Sequence, residues 1–159
     1  MPFTLAIDID DPAWSAIPDL EEKSHAAVSA VLARARFAAS VEVSLLFTDD
    51  AEITRLNTDW RRKPAATNVL SFPAPDMPLP DGEPRPLGDI VLASGVVARE
   101  AIEQEKTLED HTIHLIVHGT LHLIGHDHVE EAEAEDMEDM ERTILQGLGI
   151  ADPYGREQR

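Results

Sequence analysis

LEDHTIHLIVHGTLHLIGHDH, residues 108–128, is the stretch that decides the architecture. After Thr107 it carries Leu108, Ile113, Leu115, Ile116, Val117, Leu121, Leu123 and Ile124, which cover nearly the whole circumference of a helix. A helix apolar all round is packed on several sides, so this one is expected at the centre of the molecule. Polar residues along it then need partners.

Histidines are the notable polar residues here. His118 and His122 are four apart, which puts their Cβ atoms about 5–6 Å from each other on one helix face. Gly125 lets the backbone leave the helix through a left-handed conformation, so that His128 can return to the same point. Three imidazoles leave the fourth tetrahedral position open, as in catalytic rather than structural zinc sites. The chain has no cysteine, so any metal must be held by imidazole or carboxylate. We therefore expect one divalent transition metal on His118, His122 and His128, zinc first, with nickel or another such ion as alternatives. A single buried histidine is more often a hydrogen-bonded core residue than a ligand, but three at ligand spacing around a glycine break reverse that balance. His114 is also four residues from His118, yet only the later pair has a glycine turn that brings back another imidazole. His114 is accordingly expected to be packed and His111 exposed. His126 sits in the turn, where substrate contact and a plain surface role are equally open. Asp127 is expected to support an imidazole N–H or, alternatively, to cap the loop.

Outward from this segment, Phe3, Leu5, Ile7 and Ile9 alternate as in a half-buried strand, and so do Val41, Val43, Leu45 and Phe47. Between them Leu20, Val28, Val31, Leu32 and Ala35 form a helical stripe, with Pro18-Asp19 as its start signal. Asp49 with Glu52 reads as a capping box for a short helix that buries Ile53 and Leu56. Two more strands are expected, Asn68 to Phe72 and Leu87 to Ala93. Pro73, Pro75, Pro78, Pro80, Pro84 and Pro86 between them exclude helix or central strand and predict a surface loop. A helix begins near Val96, and a final one places Met137, Met140, Ile144, Leu145 and Leu148 in the core. Its acids, Glu130, Glu131, Glu133, Glu135, Asp136, Glu138, Asp139 and Glu141, are expected on a solvated face, since they lack calcium-loop spacing. The sum is an α+β fold: one domain over residues 1–159, with a mixed four-stranded sheet backed by helices and the histidine helix central.

With 159 residues, 43% of them apolar, the chain is long enough for one real core and short for two. No basic leader or membrane-length apolar run is present, which predicts a cytoplasmic protein without membrane contact. Thirteen basic against 31 acidic residues give a net charge of -18, which at long range repels a polyanion. The charge is uneven, however: Arg55, Arg61, Arg62 and Lys63 cluster against Asp59 alone. A basic spot is expected on an acidic body.

The spacing from His118 to His128 is also that of metzincin peptidases, whose general base is a glutamate directly after the first histidine. Gly119 occupies that position, which disfavours peptide hydrolysis. HGTLHLIGHDH closely resembles instead the H-G-x-L-H-L-x-G-x-D-H signature of the YbeY family of rRNA maturation endoribonucleases. Leu56 to Pro73, LNTDWRRKPAATNVLSFP, and Leu87-Gly88-Asp89-Ile90 resemble two further blocks of that family, in the same order. Pro64-Ala65-Ala66 departs from the charged run often found there and leaves Arg61 matched. The resemblance implies a metal-dependent, single-strand-specific endoribonuclease for maturation of the 16S rRNA 3′ end and for ribosome quality control. It further implies that His118, His122 and His128 are metal ligands and that Arg61, with His118, carries catalysis. Single-stranded rRNA, small-subunit ribosomal proteins and an assembly GTPase are the implied partners. Two other readings remain: a non-catalytic, metal-stabilised ribosome assembly factor, and a zincin-like peptide hydrolase. Metal-bound water and the RNA 2′-hydroxyl both remain possible nucleophiles.

Overall fold

A computed structural model describes residues 3–35, 40–75, 78, 80, 82–125 and 131–150, with 131–134 as helix backbone only. The chain runs β1 (Phe3–Ile9), a 3-10 turn (Pro12–Ala16), α1 (Leu20–Leu32), β2 (Val41–Thr48) and α2 (Asp50–Arg61). It continues through β3 (Val69–Pro73), β4 (Arg85–Ala93), α3 (Ser94–Glu103), α4 (Leu108–Leu123) and α5 (Glu131–Gly147). The strands form one mixed sheet in the order β1-β2-β4-β3. β1 pairs parallel with β2 from Phe3↔Val41 to Ile9↔Phe47, and β2 pairs parallel with β4. Edge strand β3 is antiparallel to β4. Parallel neighbours need crossovers, and α1 supplies the first while α2 with β3 spans the second.

Alternation along the strands builds two cores of unequal size. Val41, Val43, Leu45 and Phe47 of β2, with Ile90 and Leu92 of β4, join the large cluster with α1, α4 and α5. On the other side Leu70 and Val91 meet Ile53 of α2, with Leu46, Leu56 and Val96 packed against them. The expected α+β architecture, mixed sheet and central histidine helix are all present. α4 packs against α1, α3, α5, β3 and β4. From His111 to Leu123 every residue of it is buried except His118 and His122, which are half-buried. Its start is fixed by Thr107, whose side chain accepts from Asp110 N at 3.0 Å. The expected cap on α2 is also there, with Asp49 Oδ1 accepting from Glu52 N at 2.8 Å.

Four expectations need correction. His111 is buried, because α3 places Glu100 against it. Glu141 does not belong to the solvated face of α5 but is 1% exposed. Ile9, at the end of β1, is 45% exposed rather than inside. Proline also enters a central strand: β4 begins at Arg85, so Pro86 lies within it, opposite Glu42 where the β2–β4 register shifts. An irregularity in the ladder is where a residue without an N–H is tolerated. The sequence reading also passed over the 3-10 turn, which buries Trp14 and lets its Nε1 donate to Thr48 O at 2.9 Å. Among the described residues no helix is long and apolar enough to cross a membrane.

Candidate metal centre

His118 and His122 project from the last two turns of α4 with their Nε2 atoms 3.1 Å apart and their ring planes inclined at 72°. Two nitrogens bound to one tetrahedral zinc at about 2.0–2.1 Å would lie roughly 3.3 Å from each other, so the pair already has the separation that one ion requires. The third expected ligand, His128, lies outside the described residues, as do His126 and Asp127. Among the described residues no group of three candidate ligands converges. They contribute the pair.

Behind the pair stands a residue that the motif does not contain. Glu141 of α5 accepts a hydrogen bond from His118 Nδ1 at 2.6 Å through Oε1, and His114 Nε2 lies 3.4 Å from the same oxygen. A carboxylate can only accept when ionised, so the His118 proton is assigned to Nδ1 and the lone pair to Nε2, the atom facing His122. Burial alone would push the Glu141 carboxyl up, but the hydrogen bonds from His114 and His118 outweigh it and hold the pKa down at about 2. A neutral imidazole whose outer nitrogen is held by a carboxylate is the donor chemistry that suits zinc or a similar divalent ion. The residues present fit such a group.

The helix face that meets the sheet explains the glycine after His118. A Cβ at Gly119 would lie 3.0 Å from both Ile90 Cγ2 and Ser71 Oγ, tighter than ordinary side-chain packing. A glutamate there would be driven into the interface of α4 with β3 and β4. The metzincin base is absent because that position belongs to the core.

Arg61 reaches the same neighbourhood by way of the edge strand. Its Nη2 donates to Ser71 O at 3.0 Å, its guanidinium lies 5.8 Å from the centre of the Phe72 ring, and Ser71 Oγ donates to Gly119 O at 3.2 Å. β3 thus links Arg61 to the turn of α4 that begins with His118. Asp59, the one acid within that basic cluster, pairs with Arg55, which binds both Glu52 and Asp59. Arg55 is thereby neutralised, whereas among the described residues Arg61 bonds a neutral carbonyl and no carboxylate. On the opposite face of the sheet, a groove of about 470 Å³ is lined by Leu46, Leu56, Trp60, Phe72, Asp8 and Asp89. Its two carboxylates make it a poor phosphate site.

The sequence reading missed Glu141 and Ser71. For Glu141 a signal existed, since 141 falls on the Met137, Ile144, Leu145 and Leu148 stripe at helical spacing. Its acidic neighbours disguised it. Ser71 carries no signal apart from the sheet register.

Comparison with known proteins agrees along almost the whole chain. The family described as Endoribonuclease YbeY matches residues 8–149. The Endoribonuclease YbeY of Chelativorans sp. is 50% identical over 152 residues, covering 96% of this chain and 93% of that protein. That of Azorhizobium caulinodans is 50% identical over 149 residues, covering 92% of each. The Agrobacterium fabrum protein of the same name is 57% identical over 120 residues, covering 74% of this chain and 70% of its own. A Thermotoga maritima protein solved in solution superposes with a TM-score of 0.61 at 22% identity, covering 98% of this chain and 92% of that one. At that identity the superposition speaks for the fold alone.

Proposed function

Because the chain belongs to the Endoribonuclease YbeY family, we propose that it cleaves single-stranded RNA internally during ribosomal RNA processing, at a centre made by His118, His122 and His128 with Arg61 beside it. The observation that carries this reading is the imidazole pair itself. Two Nε2 atoms 3.1 Å apart occupy the only half-buried positions between His111 and Leu123. A zinc or similar divalent ion held by His118, His122 and His128 would supply Lewis acidity toward a phosphoryl oxygen and lower the pKa of a bound water toward about 7. The chain's own residues would do the rest. His118, held at Nδ1 by Glu141, keeps a fixed orientation and needs no rearrangement when substrate arrives. Arg61, anchored to Ser71 O through one guanidinium nitrogen, retains other donors for the non-bridging oxygens of the scissile phosphate, where negative charge grows.

The strongly acidic body limits indiscriminate binding, because at -18 the chain repels RNA except where Arg61, Arg62 and Lys63 stand. A substrate approached in this way is best brought in by a carrier, and a small-subunit ribosomal protein or an assembly GTPase would suit that task. Peptide hydrolysis ranks last, since the position of its usual base is filled by the α4–sheet contact.

Elemental analysis of the purified protein beside a cleavage assay tests the reading. We expect about one equivalent of a divalent transition metal, cleavage of a single-stranded RNA, sparing of the same sequence in a duplex, and loss of cleavage on adding chelator. Metal-replete protein that docks on the small subunit without cutting any RNA would favour the assembly-factor reading. Undiminished cleavage after complete metal removal would overturn the metal centre.

A further inference from the structure

We propose that Glu141 is a positioning residue for the histidine pair: reaching in from α5, it fixes His118 as the Nδ1–H tautomer and aims His118 Nε2 at the point that His122 Nε2 also faces. The inference rests on the metal-centre reading and adds to it a residue that lies outside the eleven-residue histidine motif.

Its place in the fold makes the case. Glu141 sits on the apolar stripe of α5 among Met137, Ile144 and Leu145, and its side chain is 1% exposed. A carboxylate is costly to bury unless hydrogen bonds compensate, so a glutamate on a core stripe calls for a reason beyond packing. One oxygen does the pairing: Oε1 lies 2.6 Å from His118 Nδ1 and 3.4 Å from His114 Nε2. Two imidazoles one turn apart on α4 thus bracket a single carboxylate oxygen. His114 steers Glu141, Glu141 steers His118, and the lone pair of His118 is left at Nε2, 3.1 Å from Nε2 of its partner ring. Outer carboxylates of this kind fix ring orientation and raise the basicity of the coordinating nitrogen, and removing one typically weakens metal binding about 10- to 100-fold. α5 is therefore coupled to the ligand set through one side chain. The competing account is that Glu141 only ties α5 to α4. Such a tie would alter stability while leaving tautomer and metal affinity alone.

The two accounts separate in the full-length chain carrying Glu141→Gln or Glu141→Ala. Long-range ¹H–¹⁵N spectra of metal-free protein, with the His118 ring assigned by its disappearance in His118→Gln, report the tautomer. Competition with a chromophoric chelator reports zinc affinity, and thermal unfolding reports the tie. Gln keeps the shape and an acceptor oxygen but not the charge, so it should fold, relax the Nδ1–H preference and weaken zinc binding about tenfold, with Ala weaker still. Glu141→Gln that folds, binds zinc as the unaltered chain does and keeps His118 in the Nδ1–H form overturns the proposal. An unaltered chain that takes up no zinc overturns the metal-centre reading instead, and the tautomer in metal-free protein then decides the role of Glu141 by itself.

Discussion

Two histidines on one helix each meet a glutamate from a neighbouring helix, and the pairs are built inside out from one another. At the N-terminal end of α4, His111 is the buried partner, its side chain 3% exposed, and Glu100 of α3 is 28% exposed. At the C-terminal end the carboxylate of Glu141 is 1% exposed and His118 is 25% exposed. The second ring nitrogen makes the difference. His111 Nδ1 is buried with no hydrogen-bond partner, so that ring is held from one side and leads nowhere. His118 turns its second nitrogen toward another imidazole. The pair at His111 buries its imidazole between two helices, whereas the pair at His118 buries its carboxylate and leaves the imidazole the more exposed member.

Exchanging the two ends experimentally should give the largest effect. His118→Ala is expected to lower zinc affinity by more than the roughly hundredfold ceiling for loss of an outer carboxylate, and to abolish RNA cleavage. His111→Gln should leave both within about twofold, because its ring faces Glu100 and not the pair. Chelator competition and a gel assay on the two variants measure this. Equal loss of metal from both would break the comparison.

Arg61 sharpens the same contrast, since it reaches only the C-terminal end of the helix, through Ser71 and Gly119. Arg61→Ala should cost about 10²- to 10³-fold in kcat, the usual loss for a donor aimed at developing charge. As an exposed residue it should shift stability by no more than about 0.5 kcal/mol and leave zinc affinity unchanged. Arg61→Lys should not restore the rate, because a point charge lacks the planar fork. A variant that loses metal together with activity would place Arg61 in support of the fold.

Gly119 tests whether the C-terminal end has room for a second kind of chemistry. Gly119→Glu puts a charged side chain where a Cβ alone already meets Ile90 and Ser71 at 3.0 Å. Overpacking and burial of an unpaired carboxylate together should destabilise the protein by about 3 kcal/mol or more, read by urea unfolding, with no peptidase activity gained. A stable variant that hydrolyses peptides would sink the argument from packing.

Much of this was legible in the chain because it depends on periodicity. The all-round apolar pattern of residues 108–124 predicts a central helix, and the i,i+4 spacing places His118 and His122 together before any coordinates exist. Asp49 and Thr107 announce their helices through local side-chain chemistry. What could not be read is what depends on two elements meeting. Whether His111 is exposed depends on where α3 carries Glu100, and whether Glu141 is solvated depends on how α5 rolls against α4. Arg61 is linked to α4 only because β3 lies antiparallel at the sheet edge, with Ser71 bonded to both. Pairwise contacts between distant segments leave no trace in one sequence unless a pattern forces them.

The smallest effect concerns the closed end of the helix. Burial lowers the pKa of His111 below its ordinary value of 6.5, with Lys106 and His114 adding to the fall and Glu100 opposing it. The unfolded chain therefore takes up a proton at His111 before the folded chain does. Stability from this residue is complete above about pH 6.5 and declines as pH falls toward the folded value, with a slope of at most about 1.4 kcal/mol per pH unit for one proton. The Glu141 pair acts in a lower window, since its carboxyl falls from 4.5 to about 2 and its contribution is lost only as acidity passes through that range. His111→Gln should accordingly make urea-unfolding stability depend less steeply on pH between 7 and 5, and leave the decline below pH 4.5 in place. An unchanged slope between 7 and 5 would mean that the folded chain holds a proton at His111 as readily as the unfolded chain does, and that burial is not what sets this end of the helix apart.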